Sequence, residues 1–167
     1  MSTLKILLAA AATLLVAGCP FSAGFPLSGP AEAISDPALL GAWKTAAGSE
    51  EQFTLRISSS GNGELRIVAE GPEEESESFP AFVSALGDEV FLSLQDTAEG
   101  GQWFFANYRI LGGRLLLRLV DDELFESQTF ASSEALRAFV LQNLADPRLY
   151  GGEQGEEWDW VLERSAP

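Results

Sequence analysis

The strongest constraint on this 167-residue chain is a period-two alternation of apolar residues, repeated in run after run with glycine-rich turns between. Over 52–58, Phe53, Leu55 and Ile57 alternate with Gln52, Thr54, Arg56 and Ser58. Over 64–70, Leu65, Ile67 and Ala69 alternate with Glu64, Arg66 and Glu70, and only Val68 breaks the polar phase. The segment between them, Ser-Ser-Ser-Gly-Asn-Gly, has turn chemistry, so the pair predicts a hairpin. In the next two runs the inward phases are Val90, Leu92 and Leu94, then Phe104, Ala106, Tyr108 and Ile110. Gly112-Gly113 turns the chain into a further run carrying Leu115, Leu117 and Leu119. One apolar face per run is what antiparallel strands with one side on a core require.

Three more segments complete the set. Residues 77–86 read as a strand in which Pro80 must sit at an edge, an end or a bulge, because proline cannot donate to a ladder. The first strand is expected over 40–46 and the last over 156–164. Before the last, Ser132 or Ser133 caps a helix with Glu134 in its first turn. Leu136, Phe139, Val140 and Leu144 follow at helical spacing, and Asp146-Pro147 ends it. The expected fold is therefore mainly β: a small antiparallel up-and-down barrel of about eight strands with one helix before the last strand. Closure removes the two open edges that a meander otherwise leaves. A split sheet with the helix packed on it is the alternative arrangement of the same elements.

Composition narrows the chemistry. The chain has no His, which excludes Ser-His-Asp and Cys-His catalytic units and His-ligated metals. With 10 Lys+Arg against 25 Asp+Glu, the net charge of -15 argues against nucleic-acid binding, which needs clustered cations. The single Cys permits no intramolecular disulfide. Two acidic groups are candidates for metal or acid/base work: Glu70 with Glu73, Glu74, Glu75 and Glu77, and Asp121, Asp122 and Glu123 with Glu126. A third, Glu153, Glu156, Glu157 and Asp159 flanking Trp158 and Trp160, resembles a carbohydrate-binding surface, although the phase shared with Leu162 turns those rings inward. None has a metal-loop spacing, and like-charge runs belong on solvated loops or helix starts. Lys44 has no accompanying serine-hydrolase motif. The expectation is no enzyme, no metal and no cofactor.

The N-terminus carries a more specific signal. Lys5 precedes an uninterrupted run from Ile6 to Gly18, which as a helix spans about 20 Å, short of a hydrocarbon core of about 30 Å. That length suits an export signal. Val16-Ala17-Gly18-Cys19 resembles the lipobox of bacterial lipoproteins. The resemblance implies that the Cys19 thiol takes a diacylglyceryl group, that cleavage occurs before it, and that the new amino group is acylated. Two or three acyl chains give stable membrane attachment, whereas one binds marginally. In that family an Asp after the cysteine favours the inner membrane; Pro20 stands there, which points to the outer membrane with the domain facing the periplasm. The organisation expected is a signal peptide over 1–18, a lipidated flexible tether over 19–38, rich in Pro, Gly and Ser, and a barrel domain over 39–167. Removal of the signal takes one cation and no acid. The body is then attached by lipid rather than by charge.

A second resemblance concerns the domain. Leu40-Gly41-Ala42-Trp43 resembles the G-x-W opening of lipocalins and related calycin barrels. It implies that Trp43 plugs one end of the barrel under a basic residue of the last strand, here Arg164. It also implies a ligand held inside, and the wall residues expected are Phe53, Leu55, Phe104, Tyr108, Trp158 and Trp160. The functional expectation is a lipid-anchored binding module for a small apolar ligand. The alternative is a structural or interaction protein of the envelope with a filled barrel, using the acidic loop 70–78 and the phase of Phe91 and Phe105 as its contact surface. No protein partner can be named from the sequence.

Overall fold

In the computed structural model, residues 19–49, 51–72, 76–98, 100–152 and 158–165 are described. The expected signal segment 1–18, and the acids within 73–75 and 153–157, lie outside them. A short strand β1 (Ser22–Ala23) precedes the barrel strands β2 (Gly41–Thr45), β3 (Thr54–Gly61), β4 (Glu64–Glu70), β5 (Glu77–Leu86), β6 (Glu89–Asp96), β7 (Gln102–Leu111) and β8 (Arg114–Leu119). Helix α1 (Ser133–Gln142) and β9 (Trp160–Arg164) follow. Strands β2 to β9 pair antiparallel in sequence order, and β9 returns to pair with β2, so eight strands close a barrel. The fold is the one the alternation predicts, with β1 as an extra strand outside the ring.

Local chemistry accounts for the joints. Asn62 and Gly63 turn β3 into β4 with positive φ at both residues (52° and 77°), as a two-residue hairpin loop demands. Pro80 pairs with Arg66 of β4 but lies one residue beyond the β6 register, at an end that tolerates its missing N–H. Ser132 caps α1 by accepting from the Ala135 N–H at 3.2 Å. Asp146 caps the short 3-10 turn Pro147–Tyr150 that follows. No helix among the described residues is long and apolar enough to cross a membrane.

Two hydrophobic cores result. The inward phases of all eight strands fill the barrel, including Ile57, Ile67, Leu92, Leu115 and Leu162. The second core lies outside it. Phe82, Phe91, Trp103 and Phe105 point outward from β5, β6 and β7, and are covered by α1, by Val120 and Phe125, and by the segment before the barrel. Phe91 and Phe105 are therefore buried, not the exposed contact surface expected. Strands β5 to β7 bury both faces, which explains why their polar phase is so often broken.

The segment 19–38 departs from the expected flexible tether. It begins beside the start of β7, where Phe21 donates its N–H to Val120 O (2.9 Å) and Ser22 and Ala23 pair with Phe104 and Trp103. It crosses the outer wall with Leu27 buried, the Leu27 N–H donating to Ser93 Oγ at 3.1 Å. Ser84 and Ser93 are fully buried small residues on that wall, leaving room for its backbone. The Ile34 N–H donates to Val83 O at 3.0 Å, and the chain then crosses the far end of the barrel to enter β2. Proline and glycine favour an open chain, but Phe21, Phe25 and Leu27 gain a ready apolar surface, and burial outweighs the composition.

Candidate functional site

The two ends of the barrel differ in kind. At the end where the 3-10 turn Pro37–Leu39 meets β2, Trp43 is fully buried and its indole donates to Leu39 O at 2.8 Å. Arg164 lies over the ring, its Cζ 4.1 Å from the centroid, and its guanidinium donates to Leu40 O (2.9 Å) and Ala38 O (2.6 Å). The charge thus faces the ring and satisfies carbonyls that would otherwise lack donors. Gly41 makes this possible: its φ is 125°, and a Cβ there would stand 2.8 Å from the guanidinium. Tyr108 closes the same end. Its hydroxyl donates to Asp36 Oδ2 at 2.8 Å, and burial first, then that hydrogen bond, push its pKa well up.

The opposite end is the mouth. There Leu94, Phe104, Leu119 and Trp160 point inward, stay half-buried and line the cavity, whereas Leu40, Val90 and Ile110, half-buried toward the Trp43 end, do not line it. Between the two ends lies a cavity of about 60 Å³, with walls that include Phe53, Leu55, Ile67, Leu115, Leu117 and Trp160. Every lining residue is apolar, and two of them lie outside the barrel strands: Phe53, just before β3, and Pro20, from the segment ahead of the barrel. The polar edge of the wall is the Trp160 indole, which donates to Glu51 Oε2 at 3.2 Å. The volume is small beside the roughly 300–1,000 Å³ of small-molecule pockets.

Of the wall residues expected, Phe53, Leu55, Phe104 and Trp160 line this cavity. Tyr108 belongs to the barrel core but serves the closed end through Asp36 rather than the cavity wall. Trp158 stands outside the barrel. It precedes β9, so it does not share that strand's phase, and it lies under two arginines, Arg118 (Cζ 4.8 Å from the ring) and Arg109 (5.8 Å). Arg118 also stacks at 3.6 Å on Tyr150, whose hydroxyl is pushed up to about 12, chiefly by burial. Two wall residues carry no inward assignment from sequence: Phe79, on a strand whose two apolar faces hide its phase, and Pro20, whose place beside Cys19 carries no periodic signal.

Acids gather near the mouth. Asp121 is buried, its Oδ1 accepts from the Glu123 N–H at 2.9 Å, and its carboxyl is raised above the ordinary range, first by desolvation and then by the charges of Asp122 and Glu123. Asp159 accepts from the Leu119 N–H at 2.6 Å and is raised mainly by desolvation of its carboxyl, although the residue also presents surface to solvent. A carboxyl whose folded pKa exceeds its unfolded value takes up protons on folding, so it gains stability as pH falls through the folded value. Protonation of Asp121 is accordingly expected to favour the folded state as pH falls through the carboxylate range, so the unfolding midpoint should respond less favourably to falling pH in Asp121→Asn than in the unsubstituted protein. Measuring in 1 M salt, where the Debye length is about 3 Å, suppresses general charge repulsion. Equal pH slopes in the two proteins would contradict the assignment.

Among the described residues no cluster of three or more Cys, Asp or Glu side chains is placed to hold a metal ion. Lys44 is exposed on β2, and Asp121–Glu123 form a turn rather than a helix start. The closed eight-stranded barrel, with the helix before its last strand, is compatible with a calycin-like domain. Compared with protein-family models, curated proteins and solved structures, the chain finds no match.

Proposed function

We propose that this protein is a lipid-anchored, periplasm-facing envelope protein, attached through Cys19, whose barrel is a non-enzymatic binding module for a slender apolar group. The observation that carries the reading is the cavity: its lining is wholly apolar, Trp43 plugs one end, and inward-facing residues remain half-exposed at the other. Such a wall offers shape and apolar contact but no proton donor or nucleophile, which fits binding rather than chemistry. At about 60 Å³ the cavity admits the end of one chain or a very small molecule, and a larger ligand requires the mouth residues to part. The anchor reading rests on the sequence 16–19, on Cys19 being the sole cysteine, and on its exposure.

The same small volume favours the second reading, a filled barrel acting as a structural or interaction component. Native mass spectrometry of the protein from Cys19 onward separates the two. A bound mass lost in Leu55→Trp or Leu117→Trp, which fill the cavity, supports binding; bare polypeptide after gentle purification supports the filled barrel. Cys19→Ala is expected to move the protein from the membrane fraction to the soluble fraction while leaving it folded. A variant that stays with the membrane overturns the anchor.

A further inference from the structure

We infer that the open end of the barrel is held against the bilayer, so that its apolar cavity faces lipid and takes its occupant from the membrane. The inference rests on the lipid-anchor reading of Cys19 and adds to it an orientation that the fold imposes. Lipoprotein domains on a free linker sample all orientations; a segment of some twenty residues, if flexible, would allow about 20–25 Å of play. Here that play is missing. The backbone is fastened from Cys19 itself: the Asp122 N–H donates to Cys19 O at 2.9 Å, Pro20 bridges Asp121, and the Phe21 N–H donates to Val120 O. Phe21 is locked further by stacking on Phe125, with centroids 3.9 Å apart.

The point of attachment lies at the mouth. Pro20 lines the cavity, and Cys19 is its exposed neighbour, with Cα atoms about 3.8 Å apart across a trans peptide. Trp43, Arg164 and Asp36 stand at the other end, where the segment finishes its path across the wall. Acyl chains on Cys19 would therefore enter the bilayer beside Leu119 and Phe104 and bring the mouth to the lipid surface. An acidic protein of this kind suits a zwitterionic leaflet, since anionic head groups would repel it.

The test uses the full-length, membrane-purified protein in phosphatidylcholine vesicles. Its own cysteine is blocked by lipid, so single new cysteines can carry fluorophores at exposed turn positions. Ala47→Cys and Thr97→Cys mark the mouth; Ser60→Cys and Leu111→Cys mark the closed end. With a nitroxide-bearing lipid as quencher, mouth labels are expected to be quenched at least about threefold more than closed-end labels. A ten-residue Gly/Ser insert between Cys19 and Pro20 is expected to abolish the difference. Equal quenching in the uninserted protein, or a difference that survives the insert, overturns the orientation while leaving the anchor intact. A protein that fails to float with the vesicles overturns both.

Discussion

A chain that begins at residue 39, carrying every barrel strand but nothing before them, is expected not to fold to a stable monomer. Removing 19–38 strips Leu27, Phe21 and Phe25 from the second core and takes part of the cover from Phe82, Phe91, Trp103 and Phe105. Full burial of an apolar side chain of that size is worth about 1.5–3 kcal/mol; Leu27 gains it in full and the half-buried Phe21 and Phe25 in part, together a large share of a typical total stability of about 5–15 kcal/mol. The cut also takes the donors that reach Ser93 Oγ and Val83 O, and the Asp36 acceptor of buried Tyr108. A milder version is Leu27→Ala in the chain from Cys19. Its cost is expected at about 2–4 kcal/mol, a fall of roughly 10 °C in Tm, followed by near-UV circular dichroism. If the chain from residue 39 melts cooperatively within a few degrees of the longer one, the segment is a tether after all.

The second large effect is expected at the closed end. Trp43→Ala should cost about 3–5 kcal/mol, since a fully buried indole, its bond to Leu39 O and the seat of Arg164 go together. Arg164→Ala should cost less, about 1–3 kcal/mol, for the ring contact and two carbonyl bonds. Gly41→Ala adds a test of why the glycine stands two residues before the tryptophan. It sets a side chain at φ 125° and drives Cβ against the guanidinium. In a double-mutant cycle by denaturant unfolding, Gly41→Ala with Arg164→Ala should cost less than the sum, because the clash disappears with the arginine. Strict additivity would show that only the backbone angle matters.

Much of the barrel was legible because its signal is local. Alternation at Phe53–Ile57 or Leu115–Leu119 names the inward face without knowledge of the partner strand, and Asn62-Gly63 names its own turn. The helix was legible for the same reason, through Ser132 and the spacing of Leu136 and Val140. What failed was non-local. Phe82, Phe91 and Phe105 break the polar phase of three consecutive strands, the mark of sheets buried on both sides. That mark was present, but nothing in it says that residues 19–38 supply the cover. Trp158 was assigned inward by extending a strand two residues past its true start at Trp160, and outside the strand the alternation no longer sets a side chain's direction. Tyr108 does face inward, yet its hydroxyl needs a partner, and Asp36 lies seventy-two residues away in sequence.

Barrel closure has a consequence for the order of events during synthesis. The contacts that seal the ring join residues as far apart as Leu40 and Arg164, separated by 124 positions. Entropy makes so distant a pairing slow, in the range of milliseconds to seconds for β topologies. Until β9 has been synthesised, β2 has no neighbour on one side and the ring cannot form. The nascent chain therefore carries two unpaired strand edges throughout its synthesis. A chaperone that shields those edges would act on this interval and on no later one.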